Sequence, residues 1–112
     1  MRRVEVITRS SKLESVRDLL ARVGVDGMTV TEVRGFGRQR GHTELYRAAE
    51  YDVVLQPKLR IEIIVEDGRA PALVEELLKA TWSGKIGDGK IFVTPVDDTV
   101  RIRTNERGQD AL

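Results

Sequence analysis

Residues 3–7, RVEVI, alternate polar and apolar positions, which sets Val4 and Val6 on one face of a predicted strand. Ser10 and Ser11 then offer an N-cap. Leu13, Val16, Leu19, Leu20 and Val23 recur at three- and four-residue steps, the spacing of one helical stripe, and Gly24 follows as its stop. Residues 27–36 carry Met28 and Val30 beside the β-branched Thr29 and Thr31, and read as a second strand by propensity. Residues 58–66, KLRIEIIVE, set Leu59, Ile61, Ile63 and Val65 against Lys58, Arg60 and Glu62, the clearest alternation in the chain. Pro71 suits a first helical turn, and Ala70, Leu73, Val74, Leu77 and Leu78 form a second stripe that ends near the glycines at 84, 87 and 89. Residues 90–96 give the fourth strand. Beyond Val96 the chain is too polar for a core strand. Val100 and Ile102 alternate there with Arg101 and Arg103, which predicts a short extended segment or an irregular tail.

The order strand, helix, strand, strand, helix, strand predicts an α/β (α+β) fold, a ferredoxin-like βαββαβ sandwich whose helices cover one sheet face. The other face is expected to carry apolar residues from alternating strands and to need burial, for which self-association is the economical solution. Between the second and third strands lie roughly 20 residues, 37–56, where antiparallel neighbours ordinarily need two to five. This stretch, GRQRGHTELYRAAEYDVVLQ, shows neither stripe nor alternation. A loop of such length more often binds something than merely covers surface.

Composition narrows the function. Among 112 residues, 19 Lys+Arg face 18 Asp+Glu, a net charge of +1 in a chain that is 33% charged. The basic excess that tracks a long nucleic acid is missing. At 40% hydrophobic residues the chain suits one core and one domain, 1–112. With no cysteine and His42 as the lone histidine, disulfides, thiolate metal sites and histidine clusters are excluded. The opening MRRVEVITRS turns polar by Thr8, and no window approaches the roughly 18 apolar residues of a membrane span. The reading is a cytoplasmic protein.

Local charge carries the candidate chemistry. GKIGDGK at 84–90 has the spacing of a phosphate-binding P-loop, but Ile91 and a strand follow where that motif needs Ser or Thr and a helix. Its glycines suit either an anion-binding nest of backbone N–H groups, with Lys85 and Lys90 adding charge, or a plain turn. Arg101 and Arg103, two apart, project from one side of an extended segment and suit a phosphate, or else pair with Glu106, Asp97 or Asp98 on a solvated face. Arg34, Arg38 and Arg40 form a third basic group at the start of the long loop. Three basic clusters beside glycines imply a small polyanion. Catalysis is disfavoured: His42 has no placed partner, and Asp97 and Asp98 are adjacent, so in a strand they face opposite ways.

Three segments, GMTVTEVRGFGRQRGHTELYRAAEYDV (27–53), TWSGKIGDGKIFVTPV (81–96) and VRIRTNERGQDAL (100–112), resemble the PII nitrogen-regulatory signal-transduction proteins over essentially the whole chain. The resemblance implies a homotrimer of ferredoxin-like subunits with a T-loop at about 37–55, a B-loop at about 82–90 and a C-loop at about 100–109. It implies ATP or ADP in the clefts between subunits, and Mg²⁺-ATP as the condition for 2-oxoglutarate, with no prosthetic group. Carried over by position, nucleotide contacts fall on Thr29, Gly35, Gly37, Arg38, Ile64, Gly87, Asp88, Gly89, Lys90, Arg101 and Arg103, with Glu62 close by. By the same resemblance Gln39 supplies an oxygen to Mg²⁺, Lys58 pairs with a 2-oxoglutarate carboxylate, and backbone amides at 38–41, including Arg40 and Gly41, and at Gly87 hold the rest.

The implied function is a non-catalytic signal transducer whose T-loop population reports ligand occupancy to ammonium transporters and to nitrogen-metabolism enzymes or regulators. It implies no direct nucleic acid, and contact with a membrane only through a transporter. Tyr51 is the position that some family members have nucleotidylylated. The chain departs from the family pattern at Ala48, where modified members usually have glycine, at Ser10 and Ser11, at Arg40, which stands where lysine is common and could pair with Glu62, and at the bulky Trp82. The alternative is a divergent paralogue that binds adenine nucleotides but controls another pathway. A slow nucleotide hydrolase and a nucleic-acid module stacking bases on Phe36 and Phe92 rank below both.

Overall fold

The alternating residues of the third predicted strand form the centre of a sheet whose strand order is β2-β3-β1-β4. The strands are β1 (Arg2–Thr8), β2 (Thr29–Gly35), β3 (Gln56–Val65) and β4 (Lys90–Pro95), and two helices, α1 (Leu13–Val23) and α2 (Ala70–Thr81), link β1 to β2 and β3 to β4. This computed structural model describes residues 1–37 and 55–112. All three strand pairings are antiparallel. Each helix therefore spans a strand that lies between the two it joins, which is the split βαβ arrangement expected from the order of elements.

Register assigns the faces. Val4 pairs with Ile63, Val6 with Ile61 and Thr8 with Leu59, so these six share one face, and all are buried. Val16, Leu19 and Leu20 of α1 and Ala70, Leu73 and Leu77 of α2 close over them. Complete burial of such a side chain contributes about 1.5–3 kcal/mol, which accounts for the dominance of this layer. Gly24 ends α1 in the left-handed region, at φ 74°, where it frees Val25 to donate to the Leu20 carbonyl at 2.9 Å. Pro71 sits in the first turn of α2, as expected.

Three expectations change. Ser10 and Ser11 do not cap α1: they lie in a 3-10 turn, Ser10–Lys12, and the chain is already helical at Lys12, so neither hydroxyl faces an orphan amide. The helix-free face is mixed rather than apolar. Period two sets Arg3, Glu5, Lys58, Arg60 and Glu62 there, with Ile7, Val33, Ile64 and Phe92 between them. Of the two forms expected of the C-terminal segment the irregular one holds, so the extended backbone on which the placement of the two arginines rested is missing. Val100 bridges Arg107, and Asn105, at φ 62°, donates to the Arg101 carbonyl at 2.8 Å, so the chain turns back at 101–106. The strand rule that put Arg101 and Arg103 on one side does not apply to a turn, and Asp97 and Asp98 likewise lie beyond β4.

Candidate functional site

The register that buries the core also brings loop ends together. Gly35 pairs with Gln56, Val33 with Lys58 and Ile7 with Lys90, so the end of β2, the start of β3, the end of β1 and the start of β4 share one edge of the sheet. Between this edge and residues 85–89 lies a cleft of about 570 Å³, walled by Ile7, Lys58, Lys85, Lys90 and the two half-exposed rings Phe36 and Phe92.

The loop after α2 is shaped by glycines where the backbone demands them. Gly84, Gly87 and Gly89 have φ of 82°, 102° and 101°. At Gly89 a side chain is doubly excluded, because a Cβ would overlap the Ile7 carbonyl. Trp82 is 73% exposed with its ring near Gly84, where a Cβ would come within 3.0 Å of Cζ2, a second reason for glycine at 84; nothing in the structure explains the bulk of Trp82 itself.

Inside the loop Asp88 is the organising anion. Its carboxylate accepts the backbone N–H of Ser83 at 2.7 Å and of Gly84 at 3.0 Å, and also the Ser83 hydroxyl, while Arg9 Nε stands 3.5 Å away. The Ser83 hydroxyl and amide, then Gly84 and Arg9, hold its carboxyl down to about 2. Three side chains from the sheet edge take three successive loop carbonyls. Arg9 donates to Ile86 O at 2.6 Å, Lys58 to Gly87 O at 2.7 Å and Thr8 Oγ1 to Asp88 O at 3.1 Å. Burial, and then the Arg9 charge, pull Lys58 below the usual lysine range, with Asp88 opposing.

Of the residues expected at the site, Gly35, Gly37, Lys58, Gly87, Asp88, Gly89 and Lys90 line this one cleft. Thr29 and Ile64 do not: Thr29 pairs with Glu62 and Ile64 with Arg3, toward the opposite edge of the sheet. Arg101 and Arg103 lie in the turn that follows the far end of β4. Arg101 donates to the Leu112 carbonyl at 3.0 Å and stands 3.8 Å from Glu106, the acidic partner that the sequence offered. Glu62 is 3.7 Å from Arg60. Arg38, Gln39, Arg40, Gly41, His42, Ala48 and Tyr51 lie outside the described residues. Among the described residues no cluster of three or more acidic, histidine or cysteine side chains could hold a metal, and no helix is long and apolar enough to cross a membrane.

Sequence reasoning missed Thr8, Arg9 and Ser83. Thr8 carried a signal, since it continues the buried series Val4, Val6 with a hydroxyl where alternation calls for an apolar side chain.

The chain is similar to known proteins along its whole length. The family model described as nitrogen regulatory protein P-II matches residues 1–106. Proteins named nitrogen regulatory protein P-II from Azospirillum brasilense and from Synechocystis are 53% and 52% identical over 112 residues, covering all of this chain and all of each relative. Among solved structures, the crystal structure of Arabidopsis thaliana PII bound to citrate superposes with a TM-score of 0.82 at 34% identity, covering 99% of this chain and 91% of that one.

Proposed function

The chain belongs to the nitrogen regulatory protein P-II family, and we propose that it acts as a non-catalytic signal transducer that binds ATP or ADP and, with Mg²⁺-ATP, 2-oxoglutarate. The observation that carries this reading is the cleft at the sheet edge, which gathers seven of the residues that the family resemblance assigns to these ligands. Glycine amides with Lys90 offer the donors a polyphosphate needs, and Lys58 offers the single cation that a dicarboxylate needs beside it.

The remaining nucleotide candidates support a site shared between copies. Thr29 and Gly35 are the two ends of β2, roughly 20 Å apart by strand rise. A ligand that meets both groups therefore rests between two chains, one giving the glycine loop and the other giving Thr29, Ile64, Arg101 and Arg103. The family resemblance sets the number of such clefts at three, in a homotrimer. The buried Arg60 Nε on the mixed sheet face, without a hydrogen-bond partner among the described residues, is a donor that a neighbouring copy could satisfy.

Output would pass through the loop at about 37–55 to ammonium transporters and to enzymes or regulators of nitrogen metabolism in the cytoplasm. In this reading Arg38 joins the nucleotide contacts, Gln39 holds Mg²⁺ with the ATP and 2-oxoglutarate oxygens, and Arg40 and Gly41 join the ketoacid site, as hard-cation chemistry favours. Tyr51 is the proposed modification site. Intact-mass measurement on protein from nitrogen-starved and nitrogen-rich cells tests it, and an unchanged mass in both removes the modification.

Calorimetry tests the sensor itself. ATP should bind alone, and 2-oxoglutarate only in the presence of Mg²⁺-ATP. Tight 2-oxoglutarate binding without nucleotide defeats the mechanism, whereas nucleotide binding with no 2-oxoglutarate response points to a paralogue serving another pathway.

A further inference from the structure

The three loop carbonyls taken by the sheet edge are consecutive: Ile86 by Arg9, Gly87 by Lys58 and Asp88 by Thr8. In a trans peptide the C=O and the following N–H point in opposite directions, and no peptide bond in the described residues is cis. Each captured carbonyl therefore turns the next N–H away from the sheet edge, and the three N–H groups so turned belong to Gly87, Asp88 and Gly89. None of these amides donates to another described residue. The sign of φ alternates along them, positive at Gly87, not at Asp88, and positive again at Gly89, which is the backbone alternation that collects successive N–H groups into one anion-binding concavity.

Thr8 has no other evident duty that demands its chemistry, and the other contact of Arg9, Nε at 3.5 Å from the Asp88 carboxylate, is with the same loop. Thr8 is 0% exposed, and a buried hydroxyl costs stability unless bonded, yet valine would fill the same volume in the series Val4, Val6. Its long-range bond goes to the loop, as does that of Arg9, which follows the last residue of β1.

We propose that Thr8 and Arg9 are positioning residues of the phosphate cradle: they fix the Asp88 and Ile86 carbonyls and so aim the Gly89 and Gly87 amides at a polyphosphate. This rests on the nucleotide reading above. Lys58 fixes the middle carbonyl, and thereby links the cradle to the ketoacid site.

Calorimetry with Mg²⁺-ATP, paired with competition measurements using adenosine, tests the proposal on wild type, Thr8→Val, Thr8→Ser and Arg9→Met. Loss of one orienting hydrogen bond should weaken Mg²⁺-ATP by roughly tenfold in Thr8→Val and in Arg9→Met. Adenosine, which has no phosphate, should bind all four proteins alike, and Thr8→Ser should restore Mg²⁺-ATP affinity. Arg9, with a side chain only 33% exposed but outside the core, supplies the second variant should Thr8→Val fold poorly. The proposal falls if both variants bind Mg²⁺-ATP as wild type does, or if ATP and adenosine weaken together. Wild type that binds no Mg²⁺-ATP overturns the functional reading itself and this inference with it, an outcome distinct from unchanged variants.

Discussion

The Asp88 carboxylate accepts the backbone N–H of Ser83 at 2.7 Å, so the glycine-rich loop closes on an anion of its own before any ligand arrives. At the N-terminus Asp67 does the same for the Met1 ammonium, 2.8 Å away. The hydrogen bond and charge of that ammonium lower Asp67, and the Ser83 donors lower Asp88 from 3.8 to about 2. A carboxyl depressed in the folded state contributes stability that is full above its unfolded value and disappears as pH falls through its folded one. Melting temperature should thus decline below pH 4 and continue to fall toward pH 2. In Asp88→Asn this decline should be shallower, and amide exchange at 83–89 faster at pH 7. An acid limb identical to wild type would refute the latch.

Gly89 and Gly108 both sit at positive φ, 101° and 63°, but only Gly89 is crowded, with the Ile7 backbone where a Cβ would be. Gly108→Ala meets open space and should cost about 1–2 kcal/mol of backbone strain alone. Gly89→Ala must also part the loop from β1, and should cost about 2–5 kcal/mol. Urea titrations of the two variants check the ordering, and equal midpoints would contradict the close approach.

Leu77 and Leu78 are neighbours on α2 with opposite fates, 0% and 48% exposed. Leu77→Ala opens a cavity beneath the sheet and should destabilise by about 2–5 kcal/mol. Leu78→Ala should stay within about 1 kcal/mol. Denaturant midpoints with unchanged slope provide the measurement.

The layered fold could be read from the chain because burial writes itself into periodicity: Leu59, Ile61, Ile63 and Val65 can face one layer only if residues 58–65 form a strand. The cradle was half legible. Glycines at 84, 87 and 89 announced an unusual backbone, but nothing in their spacing tells that Asp88 folds back on Ser83, since that bond depends on a loop geometry set by Ile7 across the sheet. Thr8 was visible as a hydroxyl in an apolar series, and only the pairing of β1 with β4 shows what it reaches. The pairing of Arg101 with Glu106 was among the readings the sequence allowed, but the same-side placement of Arg101 and Arg103 failed for a related reason. Two-residue alternation looks the same in a strand as in a turn, and the Asn105 conformation that reverses the chain has no periodic signature.

Lys58 provides the sharpest functional test, because its ammonium is already engaged by Gly87 O at 2.7 Å. A carboxylate that recruits it must share or displace that carbonyl, so ketoacid binding and loop orientation draw on one proton donor. Lys58→Met keeps the aliphatic stem and removes the charge. It should weaken Mg²⁺-ATP by no more than the roughly tenfold expected for loss of one loop-orienting hydrogen bond, and lose 2-oxoglutarate binding altogether. Burial and Arg9 lower the lysine below 10.5, so wild-type affinity for 2-oxoglutarate should fade on the alkaline side at a pH lower than an exposed lysine would give. Folding stability should move the other way: between the lowered folded value and 10.5 the folded state binds fewer protons than the unfolded chain, and stability rises with pH there. Calorimetry from pH 7 to 10 reads the first trend. An alkaline decline that begins no earlier than an exposed lysine would give contradicts the lowered ammonium, and a Lys58→Met protein that still binds 2-oxoglutarate with Mg²⁺-ATP would remove Lys58 from the ketoacid site.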